Sequence, residues 1–454
     1  MDIIGNLPLF MFVMLALLMF TGYPVAFVLG GTALTFGLIG FAVDYFALIE
    51  FYNITARIWG SVAEKPILVA IPMFIFMGTM LERSGIAIDL LHCLQVLLRR
   101  VPGGLAISVT MMGTILAATT GIVGASVIMM TLLALPVMLQ RGYQVQLSAG
   151  TIAASGTLGI LIPPSIMLVI LADLLAVSVG SLFMGALFPG LLLAALYMVY
   201  IFVLCMIKPK LAPPMGVDEA PADKAALWSL IFRSFIPPVF LIVLVLGSIF
   251  LGWATPTEAG GVGAFGAILL AAAKRNLNFP VLKDVLLRSA KTNAMLFMIF
   301  LGATAFSYVF RSLGGDDIIA EFFENLGVGP VGVLILMLAV VFVMGFFFDW
   351  IEIILIILPV FTPILETMDL GSHVAQSEFL VWFAILLAVN LQTSYLTPPF
   401  GYALFYMKGA KIPGVTMQHI YAGIVPFVIL QLIGLAIVAL FPEIVLWLPR
   451  QLGL

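Results

Sequence analysis

Asp349 and Glu352 are two acids in an otherwise apolar stretch, FVMGFFFDWIEIILIILPV at 342–360. An ionisable side chain at such depth costs at least about 2.5 kcal/mol against lipid and ordinarily faces a cavity, and Asp349 reads equally as a structural partner to a hydroxyl or a backbone N–H. Two proline pairs interrupt similar runs, GILIPPS at 159–165 and YLTPPFG at 395–401. Each proline removes a backbone N–H and clashes one turn back, costing about 3 kcal/mol in a helix interior. Around the first pair stand Gly156 and Gly159, with hydroxyls on Ser155, Thr157 and Ser165. Unwound backbone frees carbonyl oxygens, which are tolerated at membrane depth only inside protein or against a cavity. Carbonyls plus hydroxyls are the oxygen ligands a hard cation such as Na+ takes. For one break alone, a proline kink packed against neighbouring helices is the plainer reading; matched breaks favour an ion site.

The elements that hold these residues must be membrane helices. Of the 454 residues, 63% are hydrophobic and only 9% charged, outside the range of soluble domains. The mean hydropathy is +1.24. The apolar runs are continuous, which excludes a barrel, and the expected class is an all-α polytopic protein in a lipid bilayer. A net charge of −3 gives no reason to expect nucleic acid. Cys93 and Cys205 lack CxxC spacing and read as packing residues. The N-terminus, MDIIGNLPLF, has no basic n-region, so a cleavable leader is not expected.

Apolar segments fall near 7–21, 22–41, 66–82, 104–139, 147–172 and 178–207, and again near 233–251, 255–273, 291–311, 330–365, 379–408 and 417–441. Residues 208–232 between them are polar and proline-rich, the composition of a linker. Local matches recur in order: GYPVAFVLGG with ATPTEAGGVG, LALPV with IILPV, LIPPS with LTPPF. Two repeats are therefore expected, 1–207 and 233–454. With the N-terminus outside and 104–139 and 330–365 each dipping in and returning, only Arg57, Lys65, Arg311 and Arg450 of the nineteen basic residues fall outside. Each half then has five crossings and one re-entrant hairpin, and the halves are inverted. Such repeats place substrate and ion sites near the midplane, where broken helices meet.

The hairpin tips should approach the breaks. AATTGIVGASVI at 117–128 carries Thr119, Thr120, Gly121 and Gly124, and the second hairpin has Gly345 before Asp349. Asn390, Gln392 and Thr393 precede the second break and are candidates for substrate contact, or equally for hydrogen bonds that stitch helices. Segments 44–60 and 85–98 read as interfacial helices, and Trp59, Trp228, Trp253, Trp382 and Trp447 as interfacial anchors. An ATP-driven pump is disfavoured by the lack of a phosphate-binding loop, and a metalloenzyme by three scattered histidines without HExxH. No enzymatic activity is expected; a channel, a proton-coupled transporter and an ion-exchanging antiporter remain as alternatives.

GILIPPS, ATPTEAGGVGA at 254–264, LTPPFG at 396–401 and GFFFD together resemble the large, DctM-like membrane subunit of tripartite ATP-independent periplasmic (TRAP) transporters, over essentially the whole chain. The resemblance implies an elevator-type, sodium-coupled secondary transporter of the bacterial inner membrane. It implies two partners: a periplasmic substrate-binding protein that delivers a small organic anion, and a small four-helix membrane subunit. It places one Na+ among Thr120, Gly121, Val123, Gly159, Ile162 and Pro164, and another among Gly345, Asp349, Ser394, Thr397 and Pro399. Substrate is expected between the hairpins, near Thr119, Thr120, Asp349, Asn390, Gln392 and Thr393. Two departures stand out: the first tip reads TTGIV where the family is often serine-rich, and Ser394 replaces the usual glycine.

Overall fold

The computed structural model describes residues 5–120, 123–213, 224–325, 327–398 and 401–453. Among these there are helices and no strands. Among the described residues, nine helices are long and apolar enough to cross a membrane. The chain is thus an all-helical, multi-pass protein, as its composition requires.

The chain begins with α1 (Leu7–Met19), α2 (Val25–Ala42) and the short amphipathic α3 (Leu48–Ile58). Then come α4 (Ala70–Arg83) and α5 (Ile86–Leu97). Two antiparallel arms follow, α6 (Gly104–Thr120) and α7 (Val123–Gln140). Next is a helix broken into α8 (Val145–Thr157) and α9 (Ile166–Leu174), and then the long α10 (Val179–Ile207). The order recurs after the linker. α11 (Lys224–Leu230) runs through a π-type turn into α12 (Ile236–Phe250), followed by α13 (Pro256–Ala273), α14 (Phe279–Ser312) and α15 (Gly315–Asn325). A second pair of arms, α16 (Pro330–Met344) and α17 (Trp350–Thr367), precedes a second broken helix, α18 (Gln376–Ser394) and α19 (Tyr402–Gly409). The chain closes with α20 (Met417–Leu440) and α21 (Glu443–Leu452).

Packing divides these helices into a frame and a bundle. In the frame, α2 lies along α14 and α4 along α13. Glycine permits both approaches: a Cβ on Gly302 would come 2.4 Å from the Ala26 carbonyl oxygen, and one on Gly263 would come 2.5 Å from the Met77 sulfur. The bundle holds both pairs of arms and both broken helices. Its innermost members are α8 and α18: residues 147–157 and 382–394 are buried without exception. α8 packs on α20 so closely that a Cβ on Gly150 would lie 2.0 Å from the Gly423 carbonyl oxygen. Backbone cannot yield as a side chain can. Gly150→Ala is therefore expected to lower the melting temperature of the purified chain, since overpacking costs about 1–3 kcal/mol. Gly261→Ala, with nothing within 4 Å of the added carbon, should leave it unchanged.

The structure differs from the sequence reading at four points. Helix begins at Lys224, so the last residues of the expected linker 208–232 belong to α11 and its continuation into α12. α14 starts twelve residues before the apolar run at 291, capped by the Asn278 side chain on the Val281 N–H at 2.9 Å. Its 34 residues span about 51 Å, more than the roughly 30 Å hydrocarbon core, so its charged first turns stand outside lipid. α21 was not expected; its Arg450 ties it to Glu378 of α18 at 2.6 Å and also pairs with Glu443 of the same helix at 2.5 Å. Trp382 is no interfacial anchor: it is 1% exposed, and its indole N–H donates to the Val438 carbonyl at 3.3 Å. The other four expected anchors, Trp59, Trp228, Trp253 and Trp447, are exposed, and both cysteines are buried and free.

The ion pairs respect strict alternation of the segments. Lys65–Asp173, Arg311–Asp316 and Arg450–Glu378 join residues assigned to one end, and Arg83–Asp284 and Lys274–Asp89 residues assigned to the other.

Candidate functional site

Each break ends one half-helix and precedes another, so the chain makes helix N-termini deep inside the bundle. α8 gives way to a single 3-10 turn at 158–160, and helix resumes at Ile166. α18 ends at Ser394 and helix resumes at Tyr402. The arm pairs contribute two more starts, Val123 of α7 and Trp350 of α17. All four starts meet at one cavity of ≈ 540 Å³, lined by Val123, Gly124, Ile166, Asp349, Trp350, Ile351, Glu352, Tyr395, Tyr402 and Tyr406. Its opposite wall is frame: Pro24 to Phe27 at the start of α2, and Thr292 with 294–296, Met298 and Ile299 on α14. Helix starts carry unpaired N–H groups and a partial positive charge, so they attract anions.

The four starts are not alike. α17 is closed by its own acids: the Trp350 N–H donates to Asp349 Oδ1 at 2.8 Å, and the Asp349 N–H donates to Glu352 Oε2 at 3.1 Å. This reciprocal cap satisfies two donors that would otherwise face the cavity. α9 is open. Ser165 stands at its cap position, but its hydroxyl turns back to the Ile160 carbonyl and bonds none of the first N–H groups. α19 starts after Gly401 and likewise has no side-chain cap.

The structure brings several expected site residues together. Gly345 touches Ser394: an added Cβ would lie 2.3 Å from the serine Cβ. A comparable approach joins Gly113 and Ser155 across α6 and α8. Val123 and Asp349 line the cavity itself. Gly159, Ile162 and Pro164 are buried but absent from its lining, with Ile162 set against Gly190 of α10. Thr397 donates at 2.7 Å to the Thr393 carbonyl. Asn390, Gln392 and Thr393 are buried but absent from the cavity lining. The Asn390 amide donates to the Leu338 carbonyl of α16 at 2.8 Å, and the Gln431 amide to the Gln392 carbonyl at 3.4 Å. Gly121 and Pro399 lie outside the described residues, as do the side chains of Thr119 and Thr120 at the end of α6.

Sequence reasoning did not single out Tyr395, Tyr402, Tyr406 or Trp350. The first two flank the second break in YLTPPFGY, and that position was the available signal. A second cavity, of ≈ 460 Å³, opens between frame and bundle where Arg57, Ser61 and Arg311 meet Asp173 and Pro359. Two contacts cross there from frame to bundle: Lys65 to Asp173 at 2.7 Å, and Arg311 to the Pro359 carbonyl at 2.6 Å.

The family described as "Tripartite ATP-independent periplasmic transporter, DctM component" matches residues 12–444. The chain belongs to this family. Among DctM relatives, the C4-dicarboxylate TRAP transporter large permease protein of Pseudomonas aeruginosa is 32% identical over 395 residues, covering 86% of this chain and 88% of that protein. Its namesake from Rhodobacter capsulatus is 30% identical, covering 98% and 99%. The YdaH transporter of Alcanivorax borkumensis shares the fold of this DctM chain, with a TM-score of 0.62 at 14% identity over 86% of this chain and 88% of that one. DctM members are transporter components and not enzymes.

Proposed function

We propose that the chain is the large membrane subunit of a sodium-coupled uptake system for a small organic anion in the bacterial inner membrane. A periplasmic binding protein delivers the solute, and a small four-helix membrane subunit braces the frame. The observation that carries this reading is the single cavity where four half-helix starts on the bundle face a wall of frame helices. A solute held there sits between two packed bodies. Sliding the bundle along the frame, as an elevator, moves it from one side of the membrane to the other. The contacts Lys65–Asp173 and Arg311–Pro359 span the two bodies and must break in that motion.

Inverted repeats follow from the same reading. The element order of residues 1–207 recurs after the linker, and the pairing of α2 with α14 is answered by that of α13 with α4, as a two-fold axis between the halves requires. The excess of lysine and arginine on one side supports an N-terminus in the periplasm and the linker 208–232 in the cytoplasm. One Na+ would sit at the first tip, around Thr120, Gly121 and Val123 with Gly159, Ile162 and Pro164. The other would sit among Gly345, Asp349, Ser394, Thr397 and Pro399. The contact between Gly345 and Ser394, with Asp349 nearby in sequence, supports the second of these.

The test is uptake into proteoliposomes that hold this chain and its small subunit, with the binding protein and labelled organic acids outside. Accumulation should require both the binding protein and an inward sodium gradient. Uptake driven by a proton gradient and indifferent to sodium would instead assign Asp349 and Glu352 to proton carriage. Accumulation without the binding protein would contradict the tripartite reading.

A further inference from the structure

A further proline pair, Pro237 and Pro238, interrupts the apolar helix from Lys224 to Phe250 and lies outside the central cavity. These prolines cannot donate to the carbonyls of Arg233 and Ser234 one turn back, and there the helix widens into a π turn, Ile231–Phe235, closed by the Ile236 N–H on the Ile231 carbonyl. The turn sets Arg233 and Ser234 in the wall of a separate cavity of ≈ 470 Å³, between α12, α13 and the start of α5. Lys274, just past α13, lines it too and holds Asp89 of α5 at 2.5 Å and the Gly85 carbonyl at 3.0 Å. Arg233 has no ion pair among the described residues. Two cations against one carboxylate leave the cavity positive.

Both cations stand at one level of the membrane. α12 and α13 are packed neighbours joined at their other ends by 251–255. Arg233 lies about 26 Å of helix from Phe250, and Lys274 follows the roughly 27 Å of α13. A hydrocarbon core of about 30 Å puts both at its edge, where lipid phosphates begin. From that level exposed apolar side chains run down α12 at every fourth residue, Phe232, Ile236 and Phe240. Trp228 packs on Phe232 with ring centroids 6.0 Å apart, an aromatic pair of the kind enriched at the membrane interface.

We propose that this cavity binds the headgroup of an anionic phospholipid, its phosphate between Arg233 and Lys274 and its acyl chains along the apolar stripe of α12. An ammonium has three donors, so Lys274 keeps Asp89 and the Gly85 carbonyl while giving its third to the phosphate. Basic pockets between membrane helices recognise lipid headgroups in this way. A soluble anion would make no use of the stripe, and a purely apolar partner helix would leave Arg233 without a counter-charge. The bound lipid would tie the frame to α5, the helix that leads into the first arm. The assignment rests on the membrane-spanning fold and not on the transport reading.

The test is native mass spectrometry of the purified, delipidated chain. Dioleoyl-phosphatidylglycerol and dioleoyl-phosphatidylethanolamine, which share acyl chains and differ in net charge, are offered in equal amounts. The chain should retain phosphatidylglycerol in preference. Arg233→Gln should weaken that retention about fivefold, the worth of one basic residue near an anionic lipid surface. Lys291→Gln, outside the cavity, should change nothing. Equal retention of the two lipids, or of neither, overturns the proposal without recourse to a variant. Phosphatidylglycerol held as well by a folded Arg233→Gln chain also overturns it. Displacement of the lipid by excess inorganic phosphate would give the site to a soluble anion instead. In complex with its small membrane subunit the chain should hold the same lipid; loss of the lipid there would give this face to the subunit and overturn the assignment.

Discussion

Asp349→Asn should leave the protein folded and raise the sodium concentration for half-maximal uptake about tenfold, a loss of about 1.4 kcal/mol. Asp349→Ala should lose that sodium affinity and stability as well. The two variants separate two jobs. Asp349 caps α17 through the Trp350 N–H and lines the cavity with its carboxylate. Asparagine caps about as well as aspartate, whereas alanine forfeits about 0.5–2 kcal/mol of helix stability. A purely structural acid would therefore show normal sodium dependence in the asparagine variant and a lowered melting temperature in the alanine variant alone. Initial rates against sodium, with melting curves on the same preparations, distinguish the outcomes.

Gly345→Leu should abolish uptake while the chain still inserts into membranes. At this position a Cβ would come 2.3 Å from the Ser394 Cβ and 3.0 Å from its Cα, with the Phe342 carbonyl oxygen at 3.2 Å. Backbone lies on two sides, so the added bulk must push the end of α16 away from the end of α18. The cost of about 1–3 kcal/mol for ordinary overpacking is a floor here. The displaced arm would carry Asp349 away from the cavity. The smaller change Gly345→Ala should impair uptake partially, and Ser394→Gly in the same chain should restore it by removing the atom it meets. Rescue of that kind requires direct contact; independent effects would add. Uptake rates of the two single variants and the double variant provide the check.

The Gly345–Ser394 contact also explains what the sequence could and could not say. The breaks were legible because a proline pair leaves its mark on any helix. Asp349 was legible because an acid among phenylalanines is costly unless it has a purpose. Ser394 looked like a departure from a family glycine; in three dimensions the glycine stands on the other side of the contact, so the approach survives. Size complementarity of that sort lies between elements, and no local pattern carries it. The same holds for Asn390, whose amide reaches α16 rather than the cavity. Polar character marks such a residue as partnered without naming the partner. The tyrosines of the cavity were hidden because an aromatic in an apolar run reads as packing. The first turns of α14 were missed because Lys283, Asp284, Arg288 and Lys291 end the apolar signal while the helix continues outside lipid. Glu352 carries a similar lesson. Its spacing of three from Asp349 is that of a shared polar face, and also that of a reciprocal cap; the structure shows the cap.

The central claim is that the transported acid occupies the cavity between the half-helix starts and the frame. Met295 lines that cavity from α14 and is 56% exposed, while the native cysteines, Cys93 and Cys205, are buried. With both cysteines changed to alanine, Met295→Cys offers one thiol to a membrane-impermeant reagent. Reconstituted vesicles are labelled with and without the transported acid in saturating sodium. The account predicts protection by the acid, half-complete at the concentration that half-saturates uptake by the same variant. Labelling that stays unchanged while those vesicles accumulate the acid would contradict it.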